Sequence, residues 1–184
     1  MKNEELSTLA YTIGTGTGKE FNIRNLRYDK VIIMTDADTD GAHIQNLLIN
    51  FFYLKMRPLI ELGHVYVACP PLYRVSKMVG KKTIEEFAWN LTELEKAKKK
   101  VGSGYTVSRY KGLGEMNADQ LWQTTMDPNH RKLIKLTIND ASIASKYVEL
   151  FMGKDPSGRN TWIKENVDFS TKGDFFAEEV KNNG

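Results

Sequence analysis

Three aspartates, Asp36, Asp38 and Asp40, stand at alternate positions directly after the apolar run of residues 30–35. That run is short and rich in β-branched residues, which is typical of a buried parallel strand. Ligands of open parallel sheets bind beyond the carboxyl ends of the strands, where alternate side chains project to one side. Neighbouring carboxylates repel each other, and Mg²⁺, which takes one or two carboxylates, would compensate their charge. The spacing therefore predicts a metal site.

Three other interpretations of this acidic cluster compete with a magnesium site. An EF-hand loop would carry Glu at its twelfth position, where this chain has Leu47, and would follow a helix rather than a strand. A haloacid-dehalogenase phosphatase would carry Thr or Val at the position of Asp40, and no later acidic pair stands in the expected setting. A solvated acidic turn that caps the following helix stays open on the cluster alone.

The glycine-rich segment 14–19 invites comparison with a phosphate-binding loop. A P-loop requires glycine where Ile13 stands and Ser or Thr where Glu20 stands, so the pattern fails twice. No strand is predicted before the segment, which also excludes a dinucleotide fingerprint. We expect a flexible or contact-making loop here.

A strand–helix–strand unit must position the aspartates. Residues 30–35 and 64–68 have the pattern of buried strands, and an apolar helical pattern runs from Ala42 to Leu62, where Pro58 should end or kink the helix. One βαβ unit implies a parallel sheet. A short helix is predicted before it, over Glu4–Ile13.

Strands and helices alternate in the second half of the chain as well. Strands are predicted over residues 105–110 and 132–138, and helices after a cap at Asn117 and over residues 140–152 and 159–166. The lysine-rich stretch 92–100 has the pattern of a polar helix. We interpret its lysines as a solvated face, with the steering of DNA as the alternative.

Composition sets wide limits on the class of protein. The 184 residues carry a net charge of +3, which permits an acidic partner without requiring one. The length suits one domain, or one domain with an appendage. The single cysteine excludes an internal disulfide and a cysteine-cluster metal site. No apolar run is long enough for a transmembrane helix, and no signal peptide is recognisable, which favours the cytoplasm.

Residues 34–43, with the sequence Met-Thr-Asp-Ala-Asp-Thr-Asp-Gly-Ala-His, resemble the second acidic motif of the Toprim domain in B subunits of bacterial type IIA DNA topoisomerases. Further motifs of the same family follow in order, at residues 51–53, 56–59, 70–73, 109–117, 120–122, 124–126, 150–153 and 166–169. The resemblance covers the chain from Asn3 to Phe169 and favours topoisomerase IV over DNA gyrase.

The resemblance implies a fold and a division of the chain. The fold would be α/β, with a Toprim-type, Rossmann-like parallel sheet, flanking helices and a C-terminal tail of helices and strands. Residues 1–75 would form the C-terminal half of the Toprim domain and residues 76–104 a variable insertion. Residues 105–169 would form the C-terminal region that is typical of these B subunits, and residues 170–184 a flexible tail.

The resemblance also implies roles for single residues. In the family, a tyrosine of the A subunit attacks a DNA phosphodiester while the Toprim domain holds Mg²⁺ nearby. Asp36 and Asp38 would be the catalytic and metal-binding residues of this chain, and Asp40 would assist in metal binding. His43, Arg109 and Lys111 would contact DNA; the glycines beside Lys111, at positions 112 and 114, would allow close backbone approach to phosphate.

The cofactors and partners follow from the same resemblance. Mg²⁺ would be the metal, with Mn²⁺ or Ca²⁺ able to substitute, and ATP would bind elsewhere in the parent protein rather than to this chain. The partners would be a topoisomerase A subunit, double-stranded DNA and a quinolone-class inhibitor, in an A₂B₂ heterotetramer without membrane association. Localisation would be cytoplasmic, at the nucleoid.

One family motif, Glu-Gly-Asp-Ser, would lie before Met1 and would supply a further metal-binding glutamate. We therefore expect this chain to hold about half of a catalytic site and to be a piece of a longer or split polypeptide. Two functions stay open: the metal-binding part of a topoisomerase, and a non-catalytic part that only docks the A subunit.

Overall fold

A computed structural model describes residues 3–139, 141–153 and 155–167, without the side chains of residues 141 and 142. The chain forms two compact units, Met1–Asn139 and Asp140–Gly184. The first helix, α1 (Glu4–Ile13), matches the predicted bounds. The Asn3 side chain accepts a hydrogen bond from the Leu6 amide at its start, and Gly14 with φ of 93° ends it.

The predicted βαβ unit is present in the first sheet. Strand β1 (Val31–Ile33) pairs in parallel with β2 (Val65–Ala68), with Val31 opposite Val65. Between them run α2 (Thr39–Lys55) and α3 (Arg57–Glu61).

The single helix predicted over residues 42–62 is instead this pair of helices. Helix α2 begins three residues earlier, at Thr39, because Asp38 caps it. It ends before the fully buried Met56. Pro58 lies in the first turn of α3, where its missing N–H is not needed.

A second sheet is purely antiparallel, with the strand order β4-β3-β5. It contains β3 (Tyr73–Val79), β4 (Lys82–Ala88) and β5 (Thr106–Arg109), and the predicted polar helix is α4 (Leu91–Val101). The helix packs on this sheet through one apolar cluster, made of Val75, Ala88, Leu94, Ala97 and Val101.

After β5 the chain returns to the first sheet. Asn117 and Gln120 form a capping box at the start of α5 (Ala118–Leu121), so the predicted cap is confirmed. A π-helix (Trp122–Met126) follows, and strand β6 (Leu133–Lys135) then pairs antiparallel with β2. The parallel pair of the first sheet therefore has an antiparallel third strand.

The second unit contains two helices in its described residues, α6 (Ala141–Met152) and α7 (Ser157–Asn166). The Phe151 ring packs edge-on against Trp162, with 4.9 Å between the ring centroids. Arg159 Nη1 donates to the Phe151 carbonyl oxygen at 2.7 Å, so ring packing and a hydrogen bond join the two helices.

The α/β class is confirmed, and the segment boundaries expected at residues 75, 104 and 169 stay predictions. The expected tail, residues 170–184, lies outside the described residues, as does the end of the motif at residues 166–169. Within the described part of the chain, no helix is long and apolar enough to span a membrane.

Candidate metal centre

Asp36 follows the end of β1 and meets a loop from a distant part of the chain. Its Oδ1 atom accepts a hydrogen bond of 2.8 Å from the backbone amide of Leu113, which is 77 positions away in the sequence. The residue is exposed, so the carboxylate lies at a solvated edge. The fold therefore joins the acidic motif to the loop around residues 111–115.

Two glycines make room for Asp36. A Cβ atom at Gly41 would overlap the backbone carbonyl oxygen of Asp36, so only glycine fits there. A Cβ atom at Gly112 would lie 3.1 Å from both Cγ and Oδ1 of the Asp36 side chain. Gly112 thus allows close approach to a carboxylate of the same chain. At Gly114 the corresponding position has no atom of another described residue, its two chain neighbours aside, within 4 Å.

Asp38 and Asp40 lie at the start of α2. The Oδ1 atom of Asp38 accepts a hydrogen bond of 2.7 Å from the Gly41 amide, which makes Asp38 the N-cap. Asp40 lies in the first turn of the helix and is exposed. Both negative charges lie at the positive end of the helix dipole, which favours them there.

The expectation that the three aspartates continue the alternation of the strand was wrong for Asp40. Since α2 begins at Thr39, this residue has helical rather than extended backbone and does not continue the strand pattern. Within the described ranges, no group of three or more His, Cys, Asp or Glu side chains comes together as a metal site.

The residues that are present still suit part of a magnesium site. Asp36 and Asp38 each use one carboxylate oxygen in a backbone hydrogen bond, and the other oxygen of each has no hydrogen-bond partner among the described residues. Mg²⁺ keeps several waters and commonly takes only one or two carboxylates from the protein. The donor chemistry therefore fits a partly hydrated divalent ion that has further ligands from elsewhere.

Of the three predicted DNA-binding residues, one lies in the loop that is bonded to Asp36, and two lie on other elements. Lys111 is exposed two positions before Leu113, and its backbone amide donates to Glu115 Oε2 at 3.0 Å, which closes the loop. Arg109 is exposed at the end of β5, and His43 is exposed on α2. The loop thus brings Lys111 into the neighbourhood of Asp36, while His43 and Arg109 lie on separate elements.

A buried glutamine ties the second sheet to α5, the helix that follows this loop. The Tyr110 hydroxyl donates to Gln120 Oε1 at 3.1 Å, and Gln120 Nε2 donates to both carboxylate oxygens of Glu85, at 3.2 and 3.1 Å. Glu85 also pairs with Arg74 at 3.4 Å. Burial is the main cause that raises the pKa of Tyr110, so its hydroxyl stays protonated and able to donate.

Sequence reasoning missed the Leu113 amide and the role of Gln120. A backbone donor leaves no side-chain signal, so nothing in the sequence points to Leu113. Gln120 is a polar residue in a helical segment, and only the fold shows that it is buried to 5% exposure. The capping-box spacing from Asn117 was a local sign that Gln120 has a structural task.

Comparison with known proteins identifies two family regions in this chain. The Toprim domain model matches residues 5–70, and the model for the carboxyl terminus of the DNA gyrase B subunit matches residues 102–164. The B subunit of DNA topoisomerase 4 from Streptococcus pneumoniae is 57% identical over 170 residues, covering 92% of this chain. The chain belongs to the family of DNA topoisomerase B subunits.

Other relatives in this family give the same result. The topoisomerase 4 B subunit from Enterococcus faecalis is 57% identical over 95% of this chain, and that from Bacillus subtilis is 56% identical over 91%. The resemblance to topoisomerase IV is therefore confirmed at the level of similarity. The chain spans about a quarter of the length of these curated relatives, at 26%, 25% and 26%.

Family membership has two general consequences. DNA topoisomerases are isomerases, so the family is one of enzyme subunits. A Toprim domain in a type II topoisomerase implies the use of a divalent metal. The residues that would hold the metal remain a proposal.

Proposed function

We propose that this chain is the metal-binding Toprim portion of an ATP-dependent type II DNA topoisomerase. In that role it would assist Mg²⁺-dependent cleavage and religation of double-stranded DNA by a tyrosine of the A subunit. The observation that carries the proposal is the hydrogen bond from the Leu113 amide to Asp36, since it joins the loop that contains Lys111 to an exposed acidic edge.

Asp36 and Asp38 would hold the divalent ion through their free oxygens, with Asp40 assisting through water. The bound ion would neutralise charge on the transferring phosphoryl group and on the leaving 3′ oxygen. The residues of this chain would position the carboxylate oxygens that face the ion. The Leu113 amide fixes one oxygen of Asp36, and the cap on α2 fixes one oxygen of Asp38, so the remaining oxygens are held in place.

Lys111, Arg109 and His43 would contact the DNA backbone around this edge. Lys111 has the strongest support, because its loop is closed by Glu115 and is bonded to Asp36 two residues later. Contacts of this kind set the register of the duplex and carry no sequence information.

The partners belong to the proposal as well. We infer an A₂B₂ assembly with an A subunit, cytoplasmic and at the nucleoid, and a quinolone-class inhibitor as a ligand of the assembled enzyme. The resulting change in DNA topology would be decatenation and relaxation, or supercoiling.

The test is an Asp36→Asn substitution in the complete enzyme reassembled with its A subunit. We expect Mg²⁺-supported DNA cleavage and religation to be lost, while DNA binding without divalent ions is kept. Asp29→Asn is the matched control, because Asp29 is an exposed aspartate before β1, at the other end of the same strand. Full decatenation by the Asp36→Asn enzyme would contradict the proposal.

A docking role without chemistry is the second candidate. It is favoured by the absence, among the described residues, of a group of three metal-ligating side chains. It predicts that the chain binds the A subunit equally well with and without Asp36 and Asp38. It also predicts no effect of Asp36→Asn on cleavage, so the same experiment separates the two functions.

A further inference from the structure

The strands and helix between residues 73 and 110 form a module that we call the basic arm. It comprises β3, β4, α4 and β5; the strands form one sheet, and α4 packs on it. Its sequence contains nine lysines and arginines against four glutamates, a net charge of +5. Because the whole chain has a net charge of +3, the remainder carries −2. The positive surplus of this chain is therefore concentrated in the arm.

All four glutamates of the arm are already paired. Glu85 is bound by Arg74 and by the Gln120 amide. The other three form ion pairs: Glu86 with Lys100 at 2.6 Å, Glu93 with Lys132 at 2.9 Å, and Glu95 with Lys98 at 2.7 Å. No glutamate of the arm is left to neutralise a further lysine at close range.

Five lysines of the arm form no ion pair within the part of the chain that the structure describes: Lys77, Lys81, Lys82, Lys96 and Lys99. All except the half-buried Lys77 are exposed. Lysines on a surface are often merely solvated. Here the surplus comes from the β3–β4 hairpin and from α4, and every glutamate of the arm that could balance it already has another partner.

The unpaired, exposed lysines occupy two places on the arm. Lys81 and Lys82 lie at the tip of the β3–β4 hairpin, beside the turn at Gly80. Lys96 and Lys99 are three positions apart on α4, so they are neighbours on one helical face. That face points away from the sheet, since Leu94 and Ala97 are the residues buried against it.

We propose that the basic arm binds the phosphate backbone of double-stranded DNA, at a surface separate from the acidic edge at Asp36. Lysine is a flexible point charge that suits sequence-independent phosphate contacts. Four exposed lysines spread over a hairpin tip and a helix face match an extended anion better than a single small ligand. The inference shares its partner, DNA, with the proposed function, but the four lysines on which it rests are not among the residues proposed for the acidic edge.

The test measures binding of a fluorescent DNA duplex to the purified chain by anisotropy, in EDTA and over a range of salt concentrations. The arm variant carries Lys81→Gln, Lys82→Gln, Lys96→Gln and Lys99→Gln together. The matched control removes the same charge at four other exposed lysines, Lys19, Lys55, Lys146 and Lys164. Circular dichroism and urea unfolding are used to check that both variants are folded.

We expect the arm variant to bind DNA at least about tenfold more weakly near 100 mM salt, because each lost phosphate contact removes about 0.9 from the slope of log affinity against log salt. Its slope should fall by roughly 2 to 4, while the control should keep most of the slope of the unaltered chain. Equal losses in both variants would show a general effect of net charge and would overturn the inference. Competition by polyglutamate as strong as by unlabelled duplex would overturn the assignment to DNA.

Failure of this inference and failure of the proposed function are distinguishable. If the arm variant binds DNA normally while Asp36→Asn abolishes cleavage in the complete enzyme, only the arm inference fails. If the arm variant loses DNA while the Asp36→Asn enzyme cleaves fully, only the proposed metal site fails.

Discussion

In the larger unit, the acidic edge of the first sheet and the second sheet with its helix differ in which charged side chains are paired. At the end of β1, Asp36, Asp38 and Asp40 form no ion pair within the described residues, and two of them bind backbone amides. In the second sheet and its helix every glutamate has a cationic or amide partner, and lysines are left over. One region therefore presents unpaired negative charge and the other unpaired positive charge.

The two proposals rest on this difference. A divalent cation would be attracted to carboxylates whose geometry is fixed by backbone donors while their charge is not neutralised. An anion would be attracted to unpaired lysines on an otherwise balanced surface. Substitutions in both regions test the contrast, and their expected effects on stability decrease in the order Gly41, Gln120, Asp38 and Glu93.

Gly41→Ala should disrupt the acidic edge. The new Cβ atom would overlap the Asp36 carbonyl oxygen, so the backbone before α2 must move. We expect the free energy of unfolding to fall by about 3 kcal/mol, at the upper end of typical overpacking costs. Urea unfolding of the chain measures the loss. Gly114→Ala is the control, since no atom of another described residue, its two chain neighbours aside, lies within 4 Å of its new Cβ; equal stability of the two variants would contradict the contact at Gly41.

Gln120→Ala should loosen the link between the second sheet and α5. It leaves the buried Tyr110 hydroxyl and the Glu85 carboxylate without their amide partner. The expected cost is about 2 kcal/mol of unfolding free energy, the desolvation penalty of groups left unpaired. Gln123→Ala, an exposed site in the following π-helix, is the control and should cost little. A Gln120→Ala chain as stable as the control would mean that the network contributes nothing.

Two substitutions at Asp38 should separate its capping from its charge. Asp38→Ala removes the acceptor for the Gly41 amide and should cost about 1 kcal/mol of unfolding free energy. Asp38→Asn keeps a good cap, so stability should hardly change, yet the free carboxylate oxygen is gone. We expect both variants to bind Mg²⁺ more weakly in a calorimetric titration. Unchanged affinity in Asp38→Asn would remove Asp38 from the proposed metal site.

The ion pair between Glu93 of α4 and Lys132 should stabilise the chain near neutral pH and be lost at acid pH. Hydrogen bonds from Lys132 and from the Trp89 amide lower the pKa of Glu93 below its ordinary value of 4.5. Its contribution is present above that value and is lost as the pH falls through the lowered pKa. The pair is partly exposed, so we expect no more than about 0.5 kcal/mol. The free energy of urea unfolding, measured between about pH 6 and pH 3, should fall less steeply in Glu93→Gln than in the unaltered chain.

Local signals predicted much of the first sheet. The β-branched run before Asp36 indicated β1, the periodicity after it indicated a helix, and Asn117 was recognised as a cap. The division into α2 and α3 was not predicted, although Pro58 pointed to a break. The proline was expected at the end or kink of one helix, whereas it lies at the start of another.

The candidate site was predictable in part. The acidic motif and the loop that contains Lys111 were both singled out in the sequence, but nothing in the sequence indicated that they are in contact. Leu113 contacts Asp36 through a backbone amide, and such a donor is the same for almost every residue type. The alternation of all three aspartates failed because the cap at Asp38 starts the helix before Asp40.

The sequence by itself determined the family, through the resemblance of motifs along the chain. It also determined the βαβ unit and the acidic edge, since these rest on local periodicity and on residues that are close together along the chain. Only the tertiary structure decided which charges are left unpaired. Ion pairing depends on which side chains come within about 4 Å of each other in the fold. Glu93 and Lys132, which are 39 positions apart, are paired by packing alone. The number of lysines in the basic arm follows from the sequence, and the fold shows which of them form no ion pair.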